Sequence, residues 1–158
     1  MCGLDYLLTN LPQIMLITIQ LIIATYVAYV GVQQYQLAKA KFKMDMFQKR
    51  FDIFKAVEVY IGETINNKKG TWETLTKFND STETASFIFD DDVMKLINDL
   101  DNKGRNLIVL QEQFEPLPVG PERSELFAKK DKIMMQLWDI KPKLKDWFNP
   151  YLKFSKWK

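Results

Sequence analysis

From Ile14 to Val32 the chain reads IMLITIQLIIATYVAYVGV, with no charged side chain and only Thr18, Gln20 and Thr25 as non-aromatic polar members. A helix of roughly 20 apolar residues is what a hydrocarbon core about 30 Å thick requires. A secretory signal would bring a basic leader, a shorter apolar stretch and a small-residue exit. Residues 1–13, MCGLDYLLTNLPQ, carry no Lys or Arg, and the run ends in Gly31-Val32-Gln33-Gln34. The pattern therefore predicts an uncleaved transmembrane helix over 12–36, with 1–11 on one side and 37–158 on the other. Pro12 suits its first turn, where a missing N–H costs nothing. Tyr26 and Tyr29 fall towards the far interface.

Only Gly31 interrupts helical character between Pro12 and Ile61, so the same helix is expected to run on for roughly 75 Å at 1.5 Å per residue. Beyond the span it carries two apolar stripes. Leu37, Ala40, Met44, Phe47, Phe51, Phe54 and Ile61 follow a 3-4 spacing. Phe42, Met46, Ile53, Val57 and Tyr60 lie on nearly the opposite side. A surface helix needs one such stripe. The expectation is that the first packs into the chain's own bundle and the second meets a neighbouring copy; the alternative is a central helix wrapped on both sides by its own chain. Within the span, Gln13, Gln20, Val27 and Gln34 repeat every seven residues, with Ala24, Ala28 and Gly31 on the same stripe. Small residues let helices approach, and glutamines hydrogen-bond across the contact. That face predicts packing in a homo-oligomer or, in the sharper version, Gln13 and Gln20 lining a narrow pore.

The remainder reads as short helices. Gly62 and Asn66–Gly70 should end the long helix. Thr71 can cap a helix holding Trp72, Leu75 and Phe78. Asp80–Glu83 resembles a capping box ahead of ETASFIF. Asp90, Asp91 and Asp92 place acid at the positive end of a helix from Asp91 to Phe114; its apolar stripe is Val93, Ile97, Leu100, Gly104, Leu107, Gln111 and Phe114, widened by Leu96 and Leu110. EPLPVGP is a loop, Pro121 opens a last long helix, Pro142 kinks or restarts it, and Asn149-Pro150 stops it. Strand signals are almost absent. The fold class is all-α: one N-terminal transmembrane helix continuing into a helical bundle.

Charge refines this picture. The 158 residues hold 22 Lys+Arg against 20 Asp+Glu, a net +2 that names no partner. Its distribution does more: Lys39, Lys41, Lys43, Lys49 and Arg50 crowd the far end of the span, whereas Asp5 is the one charge before it. The positive-inside rule then puts the N-terminus outside and the bundle in the cytoplasm, with the bilayer as first partner. The basic aromatic tail KPKLKDWFNPYLKFSKWK leaves membrane-surface contact, RNA contact and core packing open, core packing being simplest. The one cysteine, Cys2, excludes internal disulfides, and the absence of histidine removes the common acid/base, nucleophile and zinc sets. Successive positions on a helix point different ways, so Asp90–Asp92 reads as a cap rather than a metal site. Without a phosphate-binding loop, dinucleotide fingerprint or nucleophile elbow, the expectation is no enzyme, no metal and no cofactor.

One span followed by QQYQLAKAKFKMDMFQKRFDIFKAVEVYI and TETASFIFDDDVMKLINDL resembles a group of small bacterial membrane proteins over roughly residues 13–110. The architecture is similar to the membrane accessory protein of type VI-B CRISPR systems. That resemblance implies a divergent HEPN-like cytosolic domain, protomers assembled around a membrane pore, a role in antiphage defence and a partner within the defence system. HEPN nucleases carry an Arg, often followed by a polar residue, and a His about one turn later. Arg105 and Asn106 match, but Leu110 stands where the histidine should be, so the resemblance implies a domain that does not cut RNA this way. The competing expectation is a membrane-tethered module that recruits a cytosolic protein or RNA without permeabilising the bilayer.

Overall fold

The computed structural model describes the backbone of residues 2–153 and the side chains of residues 11–153. Phe154 and Trp157, whose packing the tail pattern raised, lie outside the described residues. Helix α1 spans Cys2–Asn67, followed by α2 (Trp72–Thr82), a 3-10 turn (Glu83–Phe87), α3 (Asp91–Phe114), α4 (Pro121–Ile140), a second 3-10 turn (Lys141–Lys143) and α5 (Leu144–Leu152). No strand occurs among the described residues. The all-α expectation holds. The chain divides into two compact units, Met1–Met44 and Asp45–Lys158.

The first unit is the N-terminal part of α1. Pro12 lies inside the helix rather than at its first turn. Its fixed φ is itself helical, so the chain stays helical on both sides at the loss of one ladder hydrogen bond. Gly62 likewise fails to stop α1. A Cβ there would meet nothing within 4 Å, so the position is an ordinary helical one. The helix ends where Lys68 takes a left-handed conformation (φ 52°) and donates its N–H to the Ile65 carbonyl at 3.2 Å. This is the usual αL termination, carried here by a lysine rather than by glycine.

In the second unit the core joins α1 from Ile53 onward to every later helix. Val57, Ile61, Val93, Leu100, Leu107, Leu137, Leu144 and Phe148 are fully buried. Phe148 of α5 sits edge-on against Phe54 (5.4 Å) and Phe89 (5.3 Å), which ties the last helix to α1 and to the segment before α3. Tyr60 stacks on Phe78 of α2 at 4.4 Å. The buried hydroxyls of Thr64 and Thr82 donate to the carbonyls of Tyr60 and Phe78, both at 2.8 Å, so neither leaves an unmet polar group.

Two caps match their sequence signals. Thr71 accepts from the Thr74 N–H at 3.1 Å, and Asp90 accepts from the Val93 N–H at 3.5 Å. The expected capping box does not form. Thr82 ends α2 with its hydroxyl turned back on Phe78, and ETASF winds into the 3-10 turn. Pro150 sits inside α5, which continues to Leu152, so Asn149-Pro150 does not stop it.

The two stripes of α1 need correcting. Ile53, Val57 and Tyr60, expected to face another copy, are 3%, 0% and 3% exposed inside their own bundle, together with Phe54 and Ile61 of the opposite stripe. From Ile53 onward the chain wraps its own helix on both sides. Phe42 is 66% exposed and Met46 is half-buried. The division between covered and uncovered apolar residues runs along the helix, not around it.

Candidate functional site: the uncovered apolar helix

From Leu11 to Tyr29 every side chain of α1 is exposed, including Ile14, Leu16, Ile17, Leu21, Ile22, Ile23, Tyr26 and Val27. An 18-residue window here has a mean hydropathy of 2.0 and none of it is buried, so this helix is long and apolar enough to cross a membrane. A soluble monomer rarely exposes a continuous apolar patch of more than a few hundred Å².

The polar residues of this stretch divide into two groups. Thr18 donates its hydroxyl to the Ile14 carbonyl at 2.6 Å, and Thr25 donates to Leu21 at 2.8 Å. Both hydroxyls are satisfied within the helix, so the face formed by Thr18, Ile22, Thr25, Tyr26 and Tyr29 presents mainly apolar atoms outward. That face was not singled out from the sequence, because a threonine is read as polar until its partner is known. A glutamine carboxamide, with two donors and an acceptor, has more to satisfy than one hydroxyl does. Gln13, Gln20 and Gln34 are exposed along one stripe with Ala24, Val27, Ala28 and Gly31. A Cβ on Gly31 would touch nothing within 4 Å, so its smallness serves no contact within the chain.

On the bundle, Arg105 and Asn106 are exposed on α3. The Arg105 Nε donates to Asp101 at 2.8 Å, and Asn79 donates to the other oxygen of the same carboxylate at 2.9 Å. The hydrogen bond and charge of Arg105 hold the Asp101 carboxyl below its ordinary range, and Asp101 in turn raises the guanidinium. The guanidinium is thus engaged one turn back along its own helix, and Leu110 is half-buried with no acid/base group to offer. No group of three or more Cys, Asp or Glu able to hold a metal occurs among the described residues. Asp90, Asp91 and Asp92 act as the sequence indicated: Asp90 caps α3 and takes a hydrogen bond from Tyr151, which holds its carboxyl low.

These features define an all-helical chain with one long, apolar and uncovered helix and a packed bundle. No protein-family model, curated protein or solved structure matches it.

Proposed function

We propose that this chain is a single-span membrane protein, without enzymatic activity, that works as a homo-oligomer and alters the integrity of the bilayer it crosses. The observation that carries the reading is the uncovered apolar stretch of α1, none of whose most hydrophobic window is buried. A helix apolar on every side belongs in a core or a membrane, and here there is no core around it. Within hydrocarbon the Gln13, Gln20 and Gln34 carboxamides need partners, and Ala24, Ala28 and Gly31 leave room for a second helix to supply them. The lysines at 39, 41, 43 and 49 favour a cytoplasmic bundle. A setting in antiphage defence, within a bacterial inner membrane, rests on the family resemblance alone.

Four measurements test this. The chain should resist carbonate extraction from membranes, and Cys2 should react with an impermeant maleimide in intact cells if the N-terminus is outside. Induced expression should depolarise the membrane, and Gln20→Leu should reduce both depolarisation and oligomer size in detergent. A monomer that leaves the potential intact would overturn the oligomeric pore and favour a simple membrane tether. Phage challenge with and without the gene tests the defence setting separately.

A further inference from the structure

Phe87 is 88% exposed in the 3-10 turn Glu83–Phe87, and it is held there rather than left loose. Ala85 on one side is fully buried and its carbonyl accepts from Ile88 (3.0 Å) and Phe89 (2.9 Å). Phe89 on the other side is locked against Phe148 and Tyr151. An aromatic ring fixed outward between two anchors is a preformed knob. The bundle also holds a preformed groove of about 490 Å³ between the end of α1 and α4. Ile65, Phe127, Met134, Met135 and Trp138 line it, and Phe127, Met135 and Trp138 are all more than half exposed. That volume suits an aromatic side chain with its neighbours, and methionines adapt to such a guest.

Charge completes the match. Lys68 and Lys130 flank the groove, and the Lys141 ammonium sits 5.9 Å from the Trp138 ring centre, with Asp131 the one acid among the lining residues. Around Phe87 the sequence supplies Glu83, Asp91 and Asp92, all exposed; Asp92 is paired only with Lys95, at 3.4 Å. An acidic knob and a basic groove are carried by one chain, and the exposure of Phe87 shows that it does not occupy a groove of its own copy.

We propose that Phe87 of one copy seats in the α1–α4 groove of another. The contact joins two different surfaces and is therefore heterologous rather than two-fold symmetric. It deepens the self-association reading and rests on it, because copies confined to one membrane meet at high effective concentration.

The test uses full-length chains carrying Cys2→Ser and two different tags. One has Ser86→Cys and the other Asp131→Cys, both exposed positions beside the knob and the groove that leave Phe87 and the apolar lining in place. Co-expressed in membranes and treated with a short bis-maleimide, the pair should give a mixed dimer, while either variant alone gives none. Lys130→Glu should lower the yield several-fold, and Asp91→Lys on the opposite chain should restore it. Equal cross-linking between two Ser86→Cys chains would overturn the proposal in favour of a symmetric contact, and capture of a different protein at that position would overturn it in favour of a foreign partner. An oligomer that persists in detergent without any mixed dimer would refute this contact alone. Loss of the oligomer as well would refute the self-association reading too.

Discussion

Gly104→Ala should destabilise the bundle, against the intrinsic preference of helices for alanine. Gly104 lies in the middle of α3, where glycine normally costs about 1 kcal/mol relative to alanine. A Cβ placed there would overlap the Tyr60 hydroxyl oxygen and stand 2.9 Å from Leu75 Cδ1 and 3.2 Å from Tyr60 Cζ. The Leu75 methyl can turn aside. The Tyr60 ring cannot: it is buried and stacked on Phe78. Either the ring leaves its stack or α3 moves away from α1, and overpacking of this kind costs about 1–3 kcal/mol, occasionally more. An overlap with a rigid ring belongs at or above the top of that range. After the alanine gain is subtracted, a net loss of about 2 kcal/mol or more remains, at roughly 4–8 °C in melting temperature per kcal/mol for a domain of this size. All four tryptophans (72, 138, 147 and 157) follow α1, so their fluorescence reports bundle unfolding without interference from the apolar helix. Tyr60→Phe removes the clashing oxygen. The double variant Tyr60→Phe/Gly104→Ala should therefore be more stable than the two single losses predict, by about 1 kcal/mol or more of coupling. Additive losses, or a Gly104→Ala protein more stable than the parent, would refute the packing argument.

Three further outcomes follow from the same core. Ile53→Glu buries an unpaired carboxylate and should abolish the cooperative tryptophan transition, whereas Phe42→Glu should leave it unchanged. Burial raises the Tyr60 phenol from 10.0 to about 12, with the Asp101 charge adding to the effect. The unfolded chain then loses this proton before the folded one does, so stability is full below pH 10 and falls as the pH rises towards 12. That rise corresponds to about 2–3 kcal/mol, and urea titrations across that range should show a smaller fall in Tyr60→Phe. Asp90→Ala should cost about 1 kcal/mol through the lost cap. Because the Asp90 carboxyl is held below 3.8 by Tyr151, its contribution is present at neutral pH and fades only as the pH drops through that lowered value. The acid side of the melting profile should flatten in the variant.

The elements that could be read from the sequence are those whose signals are local. Asp90 capping, the acidic first turn and an apolar stripe ending before EPLPVGP together gave the bounds of α3. Pro121 gave the start of α4. Signals that compete were misread: Asp80–Glu83 has the spacing of a capping box, yet Asp80 lies inside α2, which runs on to Thr82. Ile108 escaped notice because its row faces the loop at Gly70, whose hypothetical Cβ would lie 3.1 Å from Ile108 Cγ1, and loop packing has no period. Periodicity also identified both apolar sides of α1, yet it states which residues avoid water and not what covers them. Ile53, Val57 and Tyr60 were therefore placed on the right faces and given the wrong neighbour. At the candidate site the glutamine stripe was legible, whereas the finding that both threonines are satisfied within the helix required the hydrogen bonds.

Phe42 is where two explanations of the uncovered helix diverge. It follows the lysines at 39 and 41, which on the proposed topology lie beyond the hydrocarbon, yet it and Met44 remain exposed. A bilayer cannot bury residues that lie past its own polar boundary, so on this topology only protein can cover them. Phe42→Glu should then leave the chain fully membrane-bound and its bundle folded while reducing the oligomer in detergent. Ile23→Glu, at the middle of the apolar stretch, should impair membrane insertion itself, because a carboxylate at mid-span costs about 2.5–3.5 kcal/mol on insertion scales. If Phe42→Glu weakens membrane retention as strongly as Ile23→Glu, the hydrocarbon boundary lies beyond the lysines. The helix then needs no second copy at that position. If it changes neither retention nor oligomer size, the exposed Phe42 contributes to no assembly, and the case for contacts past the span rests on Phe87 and its groove alone.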